Sequence, residues 1–314
     1  MHIVVLSGGL SPERDVSLRS GRRVAEALRA SAPDWEISER DIDANLLDHL
    51  ASIAPECVIP LVHGSAGEDG AILDVLRCLQ VAYVGSAPDS CRLAFDKTVA
   101  KALVRRAGLE TPESISLPHS TFRELGAGGI ITALVTKLGL PLMIKPTRGG
   151  SALGASVVHR AEDIPAALVG AFAYCDVALI ERFIIGTEVA VGIIDTGTGP
   201  RALPAVEIQP DSGFYDYAAR YTAGTTEFFV PARLDEATTE AAAQVAVAAH
   251  TALGLRDWSR ADMIIDTHGV PWFLEVNVAP GMTETSLVPQ ALSAANIDMG
   301  DIMRELVNAA IARQ

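Results

Sequence analysis

The chain has 314 residues, of which 49% are apolar and 20% charged, so it is long enough for two or three domains and predicts a globular protein. Its formal net charge is −14, and so acidic a surface repels phosphate backbones and anionic lipid, which makes nucleic acid and membranes poor candidates as partners. The four cysteines form no CxxC pair, and the sequence shows neither a signal-peptide pattern nor an apolar run of transmembrane length. These features predict a cytoplasmic protein.

The first third of the chain alternates predicted strands and helices. Aliphatic runs predict strands at residues 2–6, 57–62 and 81–84, and apolar spacing predicts helices at residues 16–30 and 71–79. This alternation predicts a small parallel sheet with helices on both of its faces.

The middle of the chain predicts a second α/β unit that contains an antiparallel hairpin. Its predicted elements are a helix at 94–107, a strand at 140–146, a glycine-rich loop at 147–154, a strand at 156–159, a helix at 163–174 and a strand at 177–183.

The last part of the chain predicts further strands and two closing helices. Its predicted elements are strands at 188–194 and 202–208, a polar loop at 211–226, a strand at 228–230, a helix at 238–253, strands at 260–265 and 271–277, and helices at 287–295 and 300–313. The tight turn at residues 266–269 makes the last two strands an antiparallel hairpin. We place the domain boundaries at residues 1–93, 94–184 and 185–314.

The predicted hairpin carries four polar side chains at alternate positions. Arg260 and Asp262 share one face of their strand, as do Glu275 and Asn277, because strand side chains alternate between faces. The neighbours expected to face a core are Ala261, Met263, Leu274 and Val276. Oxygen ligands of this kind suit Mg²⁺, whereas Zn²⁺ would prefer histidine or cysteine. Salt bridges on an exposed sheet face are the alternative interpretation.

The sequence contains no P-loop and no GxGxxG pattern, so nucleotide binding would need another geometry. Lys145 ends an apolar strand, where a buried ammonium needs an anionic partner, and the glycines that follow let backbone N–H groups approach an oxyanion. A flexible turn with a solvent-directed lysine is the alternative. Glu181 could accept from an adenine amine and Glu188 from ribose hydroxyls, although each of them, like Lys97, taken alone is typical of a surface charge.

Several segments together resemble the D-alanine–D-alanine ligases of the ATP-grasp superfamily, and they occur in the family's order over nearly the whole chain. These segments are residues 8–18 (GGLSPERDVSL), 63–70 (HGSAGEDG), 96–97 (DK), 145–151 (KPTRGGS), 214–217 (FYDY), 220–221 (RY), 260–262 (RAD), 275–277 (EVN), 280–283 (PGMT) and 286–289 (SLVP). No single segment is decisive, but the ordered set is highly specific.

The resemblance implies an α/β (α+β) ATP-grasp fold with an N-terminal doubly wound parallel-sheet domain, a central α/β domain and a C-terminal mixed-sheet domain. It implies an ATP-dependent ligase that condenses two D-alanines through D-alanyl phosphate for peptidoglycan precursor synthesis. ATP would be the co-substrate, two Mg²⁺ ions, which Mn²⁺ can replace, would be the cofactors, and the protein would form a homodimer.

The resemblance also assigns roles to individual residues. The implied ATP contacts are Lys97, Lys145, Glu181, Phe183, Glu188 and Arg220, and the implied metal ligands are Asp262, Glu275 and Asn277. The implied D-alanine contacts are Glu13 and His63 for the first molecule and Ser286 and Leu287 for the carboxylate of the second. Arg260 and the Gly281 N–H would form the oxyanion site, and Tyr221 would close over it with Ser151 and Glu13.

The sequence departs from the family pattern at a few positions. Arg220 stands where lysine is usual, Gly149 replaces an acidic residue, Ala152 replaces a serine, and Val278-Ala279 replaces a threonine-containing pair. Because a guanidinium is not equivalent to an ammonium, these departures motivate an alternative, an ATP-grasp ligase for a different amino acid pair in secondary metabolism. A nucleotide-binding protein without chemistry is disfavoured by the intact metal-ligand set, and a nicotinamide oxidoreductase by the missing glycine pattern.

Overall fold

The structure, a computed structural model, describes residues 1–211, 213, 215, 222 and 224–314, without the side chains of Ser65 and Ala66. Its first elements are β1 (His2–Ser7), α1 (Arg14–Ser31), β2 (Glu36–Asp41), α2 (Leu46–Ile53), β3 (Cys57–Pro60), α3 (Ser65–Glu68), α4 (Ala71–Cys78), α5 (Pro88–Phe95) and α6 (Lys97–Arg106). The middle elements are β4 (Ser114–Pro118), α7 (His119–Leu125), α8 (Ala127–Leu138), β5 (Leu142–Pro146), β6 (Ser156–Val158), a 3₁₀ turn (Ala161–Asp163), α9 (Ile164–Phe172) and β7 (Val177–Arg182). The last elements are β8 (Gly186–Ile194), β9 (Arg201–Ala202), β10 (Val206–Pro210), β11 (Thr226–Phe229), α10 (Glu236–Ala252), β12 (Trp258–Asp266), β13 (Pro271–Asn277), α11 (Leu287–Ala294) and α12 (Met299–Ala312).

The first sheet is parallel and has the order β2-β1-β3. Alternate residues of β1 enter different cores, because Ile3 packs with α1 and α12 on one face and Val4 packs with α2 and α4 on the other. The predicted parallel sheet with helices on both faces is therefore confirmed. The strand expected at residues 81–84 is reduced to one parallel bridge between Tyr83 and Val58, because the chain bends at Gly85, whose φ is +130°.

The second sheet is antiparallel and has the order β4-β7-β5-β6. Leu142 and Ile144 of β5 and Ile180 of β7 pack beneath α8 and α9 in a core of their own. The pairing of β5 with β6 confirms the predicted hairpin on either side of the glycine-rich loop. The helix expected at residues 94–107 is divided at Asp96, whose side chain accepts from Thr98 N and caps α6.

The third sheet has the order β11-β10-β8-β12-β13, with β9 beside β8. All of its pairings between described strands are antiparallel, where a mixed sheet was expected, in part because short turns can join only antiparallel neighbours. Ala261 and Met263 of β12 pack against α10, so the opposite face of β12 is left to face the cavities described below. None of the helices formed by the described residues is long and apolar enough to cross a membrane.

Candidate active site

Two adjoining cavities lie along the polar face of the hairpin β12–β13. The first cavity, of about 540 Å³, is lined by residues of the second and third sheets. The second cavity, of about 550 Å³, is lined by residues near the start of α1, by His63 and by the loop that follows β13. The residues common to both are Lys97, Gly149, Gly150, Tyr215 and Glu275. Both volumes are in the range of small-molecule sites in proteins.

The hairpin brings its four polar residues to one face, as the alternation of side chains predicts. Arg260 pairs with Asn277 and Asp262 pairs with Glu275 across the two strands. The Arg260 guanidinium donates to both oxygens of Asp262, with Nε and Nη2 each 2.7 Å from an oxygen. Burial alone would lower the pKa of Arg260, but the Asp262 carboxylate raises it above its ordinary value. Arg260 is therefore a fixed cation at the wall of the second cavity.

A β-bulge on the hairpin changes the alternation of side chains. Asp262 pairs with Glu275, but the next residue, Met263, pairs with Phe273, so Leu274 has no partner on β12. Leu274 was expected to face the core with Val276, and this expectation is wrong: Leu274 lines the first cavity. A bulge adds one residue to a strand and so turns the extra side chain towards the opposite face.

Lys97 connects the hairpin to the glycine-rich loop. Its ammonium lies 3.3 Å from the Glu275 carboxylate and donates to the Gly149 carbonyl at 2.7 Å. The backbone reinforces this contact, because Lys97 N donates to the Thr147 carbonyl at 2.9 Å. Lys97, described from the sequence as a surface lysine when taken alone, is thus held at the boundary between the two cavities.

Lys145 and Glu181 form a buried charge cluster with a third residue, Lys101. The Lys145 ammonium is 2.8 Å from one oxygen of Glu181, and the Lys101 ammonium is 2.7 Å from the other. Burial would raise the pKa of Glu181, but the two ammonium groups lower it, so the carboxylate stays ionised. Burial lowers the pKa of Lys101 to about 8. Lys145 therefore has the anionic partner that its position required.

Phe183 and Glu188 lie on either side of the turn between β7 and β8 and both line the first cavity. The Phe183 N–H donates to the Pro141 carbonyl at 3.1 Å, which fixes the backbone of this turn. Glu188 is half-buried on β8. Gly186, between them, has no room for a side chain, because a Cβ there would lie 2.0 Å from the Ile265 carbonyl oxygen.

Glu13 and Ser151 meet at the second cavity although they come from distant parts of the chain. The Ser151 hydroxyl donates a short hydrogen bond to the Glu13 carboxylate. Glu13 immediately precedes α1, and Ser151 lies in the glycine-rich loop with a φ of +52°, in the left-handed region. This contact joins the glycine-rich loop to the first sheet's side of the cavity.

The loop after β13 carries Gly281, Ser286 and Leu287, all of which line the second cavity. The Ser286 hydroxyl accepts from Thr283 N at 3.0 Å, so the loop folds back on itself. A Cβ on Gly281 would lie 2.8 Å from that hydroxyl, so only glycine fits without displacement. The side chain of Asn277 accepts from Ala279 N at 2.9 Å and fixes the start of the same loop.

Glu68 is a site residue to which the sequence analysis gave no role. Its carboxylate lies 4.0 Å from Nδ1 of His63, and both side chains are buried at the second cavity. Burial and, to a smaller extent, the negative charge of nearby Glu13 together raise the pKa of Glu68 to about 8. Burial lowers the pKa of His63, which Glu13 partly opposes. Near neutral pH this pair is therefore a protonated carboxyl beside a neutral imidazole.

Lys101 is the second residue that the sequence analysis missed. Its helical spacing from Lys97, one turn away on α6, was the available signal, since a lysine on the buried face of a helix needs an anionic partner. For Glu68 the sequence offers no such signal, because its segment is polar and Asp69 follows it directly. Arg220 and Tyr221 lie outside the described residues.

The donor set of the hairpin fits Mg²⁺ in chemistry. Asp262, Glu275 and Asn277 offer only oxygen atoms, which a hard cation prefers. Among the described residues there is no group of three or more histidine, cysteine, aspartate or glutamate side chains suited to a metal ion. Two carboxylates and one amide leave coordination positions open, as is usual for Mg²⁺ bound together with a phosphate substrate.

Comparison with known proteins is consistent with this geometry. Residues 103–308 match the family model described as D-ala D-ala ligase C-terminus. The chain is 38% identical over 308 residues to the D-alanine–D-alanine ligase of Anaeromyxobacter dehalogenans, which covers 98% of this chain and 96% of that protein. The chain belongs to the D-alanine–D-alanine ligase family.

Further relatives agree with this family assignment. A D-alanine–D-alanine ligase of Pelotomaculum thermopropionicum is 37% identical, over 99% of this chain and 97% of its own length. The crystal structure of the Bacillus anthracis D-alanine–D-alanine ligase complexed with ATP superposes with a TM-score of 0.82 at 27% identity, covering 100% of this chain and 98% of that one. The fold and the enzyme class predicted from the sequence are thereby confirmed: this is an ATP-dependent D-alanine–D-alanine ligase with the ATP-grasp fold.

Proposed function

We propose that the two cavities are the substrate sites of this ligase, with ATP in the first and two D-alanines in the second. The polar face of the hairpin supports this proposal most directly. Asp262 lines the first cavity, Arg260 and Asn277 line the second, and Glu275 lines both, so a phosphate and an acyl group could meet there. The product, D-alanyl-D-alanine, is the precursor that peptidoglycan synthesis uses.

The first cavity offers suitable partners for each part of ATP. Lys97 and Lys145 carry the positive charges for the phosphates, and Lys145 is held in place by Glu181. Phe183 and Glu188 line the same cavity and would hold the adenine and the ribose. Glu181 contacts two lysines. These contacts favour a second role for Glu181, which is to position Lys145, in addition to the adenine contact that the resemblance implies. Arg220 would supply a further phosphate contact.

Asp262, Glu275 and Asn277 would hold two Mg²⁺ ions, which Mn²⁺ could replace. Bound there, the ions would neutralise charge on the triphosphate. The carboxylates are oriented in advance, because Arg260 holds Asp262 and Lys97 holds Glu275.

The reaction needs two successive attacks. The carboxylate of the first D-alanine, whose ammonium pairs with Glu13 near His63, attacks the γ-phosphorus; ADP leaves and D-alanyl phosphate forms. The amine of the second D-alanine, whose carboxylate is held by Ser286 and Leu287, then attacks the acyl carbon, and phosphate leaves. Arg260 and the Gly281 N–H stabilise the oxyanion of this second step. A loop carrying Tyr221 would close with Ser151 and Glu13 to exclude water from the acyl phosphate.

We propose three domains, at residues 1–93, 94–184 and 185–314, and a cytoplasmic homodimer. The division is supported by the three sheets, each of which falls within one of these ranges. Analytical ultracentrifugation tests the homodimer, and a monomer at micromolar concentration would refute it.

The decisive test of the function offers the protein a mixture of D- and L-amino acids with ATP and Mg²⁺. Mass spectrometry should find D-alanyl-D-alanine as the main product, with one ADP released for each dipeptide. No ADP release above background with D-alanine would refute the proposal. A different main product would show that the substrates are another amino acid pair. The departures from the family pattern at Gly149, Arg220 and Val278 are the reason to test this alternative.

A further inference from the structure

One face of α1 runs from the first substrate's expected site to the loop that carries the oxyanion donor. Glu13, Val16, Ser20 and Arg23 are spaced by three or four residues, so they lie along one side of the helix. Glu13 and Val16 line the second cavity. Val16 also approaches the loop itself, since a Cβ on Gly281 would lie 3.8 Å from its Cγ1.

Ser20 and Arg23 hold the backbone of that loop directly. The Ser20 hydroxyl accepts from Met282 N at 3.0 Å, and both residues of this contact are fully buried. Arg23 Nη1 donates to the Thr283 carbonyl at 2.6 Å and to the Met282 carbonyl at 3.2 Å. The peptide units that follow Gly281 are thus fixed on both their N–H and their C=O sides by α1.

The Thr283 carbonyl that Arg23 contacts also helps to shape the acceptor site. It accepts from Ser286 N at 3.1 Å, and the Thr283 N–H and hydroxyl both contact the Ser286 hydroxyl, at 3.0 and 2.8 Å. A movement of Thr283 would therefore displace Ser286 and, through Met282, the Gly281 N–H. A hydrogen bond from a charged donor is stronger than one from a neutral donor, so Arg23 restrains this loop firmly.

We infer that Arg23 is a positioning residue for the second half-reaction, which sets the distance between the Glu13 end of α1 and the Gly281–Ser286 loop. This inference rests on the proposed function. Arg23 contacts neither substrate; it acts on the acceptor D-alanine and the oxyanion through backbone atoms. The acceptor step should depend on it, and the binding of ATP should not.

Arg23→Met tests the inference, with Arg22→Met as the matched control, because Arg22 is the exposed neighbour on the same helix. Steady-state kinetics would give KM for ATP and for the acceptor D-alanine. A parallel assay would give the ratio of phosphate released to dipeptide formed. For Arg23→Met we expect KM for the acceptor to rise about tenfold. This is the loss of affinity expected when one charge-assisted hydrogen bond to the loop is removed and the loop passes only part of that effect on to the acceptor site. KM for ATP should change less than about twofold.

The phosphate-to-dipeptide ratio separates a positioning role from a structural one. If the acceptor site is misplaced, water competes for the acyl phosphate and the ratio rises above the wild-type value. A variant that is only destabilised keeps the wild-type ratio and the wild-type acceptor KM at temperatures where it is folded, and that result would overturn the inference. If Arg23→Met does not fold, Arg23→Gln decides: it keeps a polar side chain but removes the charged donor that reaches both carbonyls through Nη1, and an unchanged ratio and acceptor KM would count against positioning. A wild-type protein that makes no dipeptide would instead overturn the proposed function.

Discussion

Replacement of Lys101 by methionine should destabilise the protein far more than replacement of an exposed lysine in an equally close ion pair. Lys101 lies 2.7 Å from Glu181, and the two side chains are 1% and 2% exposed. Lys137 lies 2.8 Å from Glu113, with the side chains 65% and 51% exposed. Loss of one partner from a buried pair costs about 3–5 kcal/mol, whereas an exposed pair contributes about 0–1 kcal/mol. Because Glu181 keeps Lys145 at 2.8 Å, we expect the low end of the buried range, about 3 kcal/mol.

Urea unfolding at neutral pH, followed by circular dichroism, measures both losses. Lys101→Met should lower the free energy of unfolding by about 3 kcal/mol, and Lys137→Met by less than about 1 kcal/mol. The double variant Lys101→Met with Glu181→Gln should lose more than Lys101→Met alone, because Lys145 is then left without the carboxylate that it contacts at 2.8 Å. Equal losses for the two single variants would show that burial does not govern this cluster.

Three further predictions concern Glu275, Glu68 and Gly67, the last with Gly170 as its control. Glu275→Gln should lower the rate of ADP release by about a hundredfold without lowering the melting temperature, because a charged ligand is lost; near-normal turnover contradicts the metal assignment. Glu68→Gln should gain stability over the wild type between about pH 5 and about pH 9. The folded-state pKa of Glu68 is raised from 4.5 to about 8, so the free energy of unfolding of the wild type falls as the pH rises through that interval, at most by about 5 kcal/mol. If urea unfolding gives the wild type and Glu68→Gln the same dependence of stability on pH, this prediction is wrong. Gly67→Ala should abolish activity, since its Cβ would lie 1.9 Å from the Val62 carbonyl oxygen. The control Gly170→Ala, whose Cβ would meet open space on α9, should raise the free energy of unfolding by about 0.5–1 kcal/mol. Equal activity in both variants would refute the steric argument.

The sequence predicts those helices and strands whose own pattern of apolar and polar residues determines their conformation. The aliphatic runs at β1, β3 and β5 identify buried strands, because apolar residues leave few other options for these segments. β2, with the sequence EISERD, was missed because it is a polar strand at the edge of the first sheet, where pairing partners rather than burial decide its conformation. α8 was missed because its first turn contains Gly128 and Gly129, which disfavour a helix in isolation.

For the candidate site, the sequence predicts residues whose position follows from the alternation of side chains along a strand. It does not predict residues whose role depends on contacts with segments that are distant in the chain. The shared face of Arg260, Asp262, Glu275 and Asn277 follows from strand geometry alone. The bulge at Leu274 does not, because it is a property of the pairing between two strands. The spacing on α6 places Lys101 one turn from Lys97, but the roles of Lys101 and Glu68 depend on burial and on charges from other segments, which the spacing and the residue type do not show.

The contact between Lys97 and Glu275 means that nucleotide and divalent ion should bind with positive linkage. Glu275 has a monovalent counter-charge 3.3 Å away before either arrives, and Lys97 is also held by the Gly149 carbonyl. In the proposed function, Lys97 would turn towards the phosphates of ATP, and Glu275 would then lose that counter-charge and become a stronger ligand for a cation. The affinity for ATP measured by calorimetry should then rise with the concentration of the ion by more than chelation in solution accounts for, and the affinity for the ion should rise with ATP by the same factor.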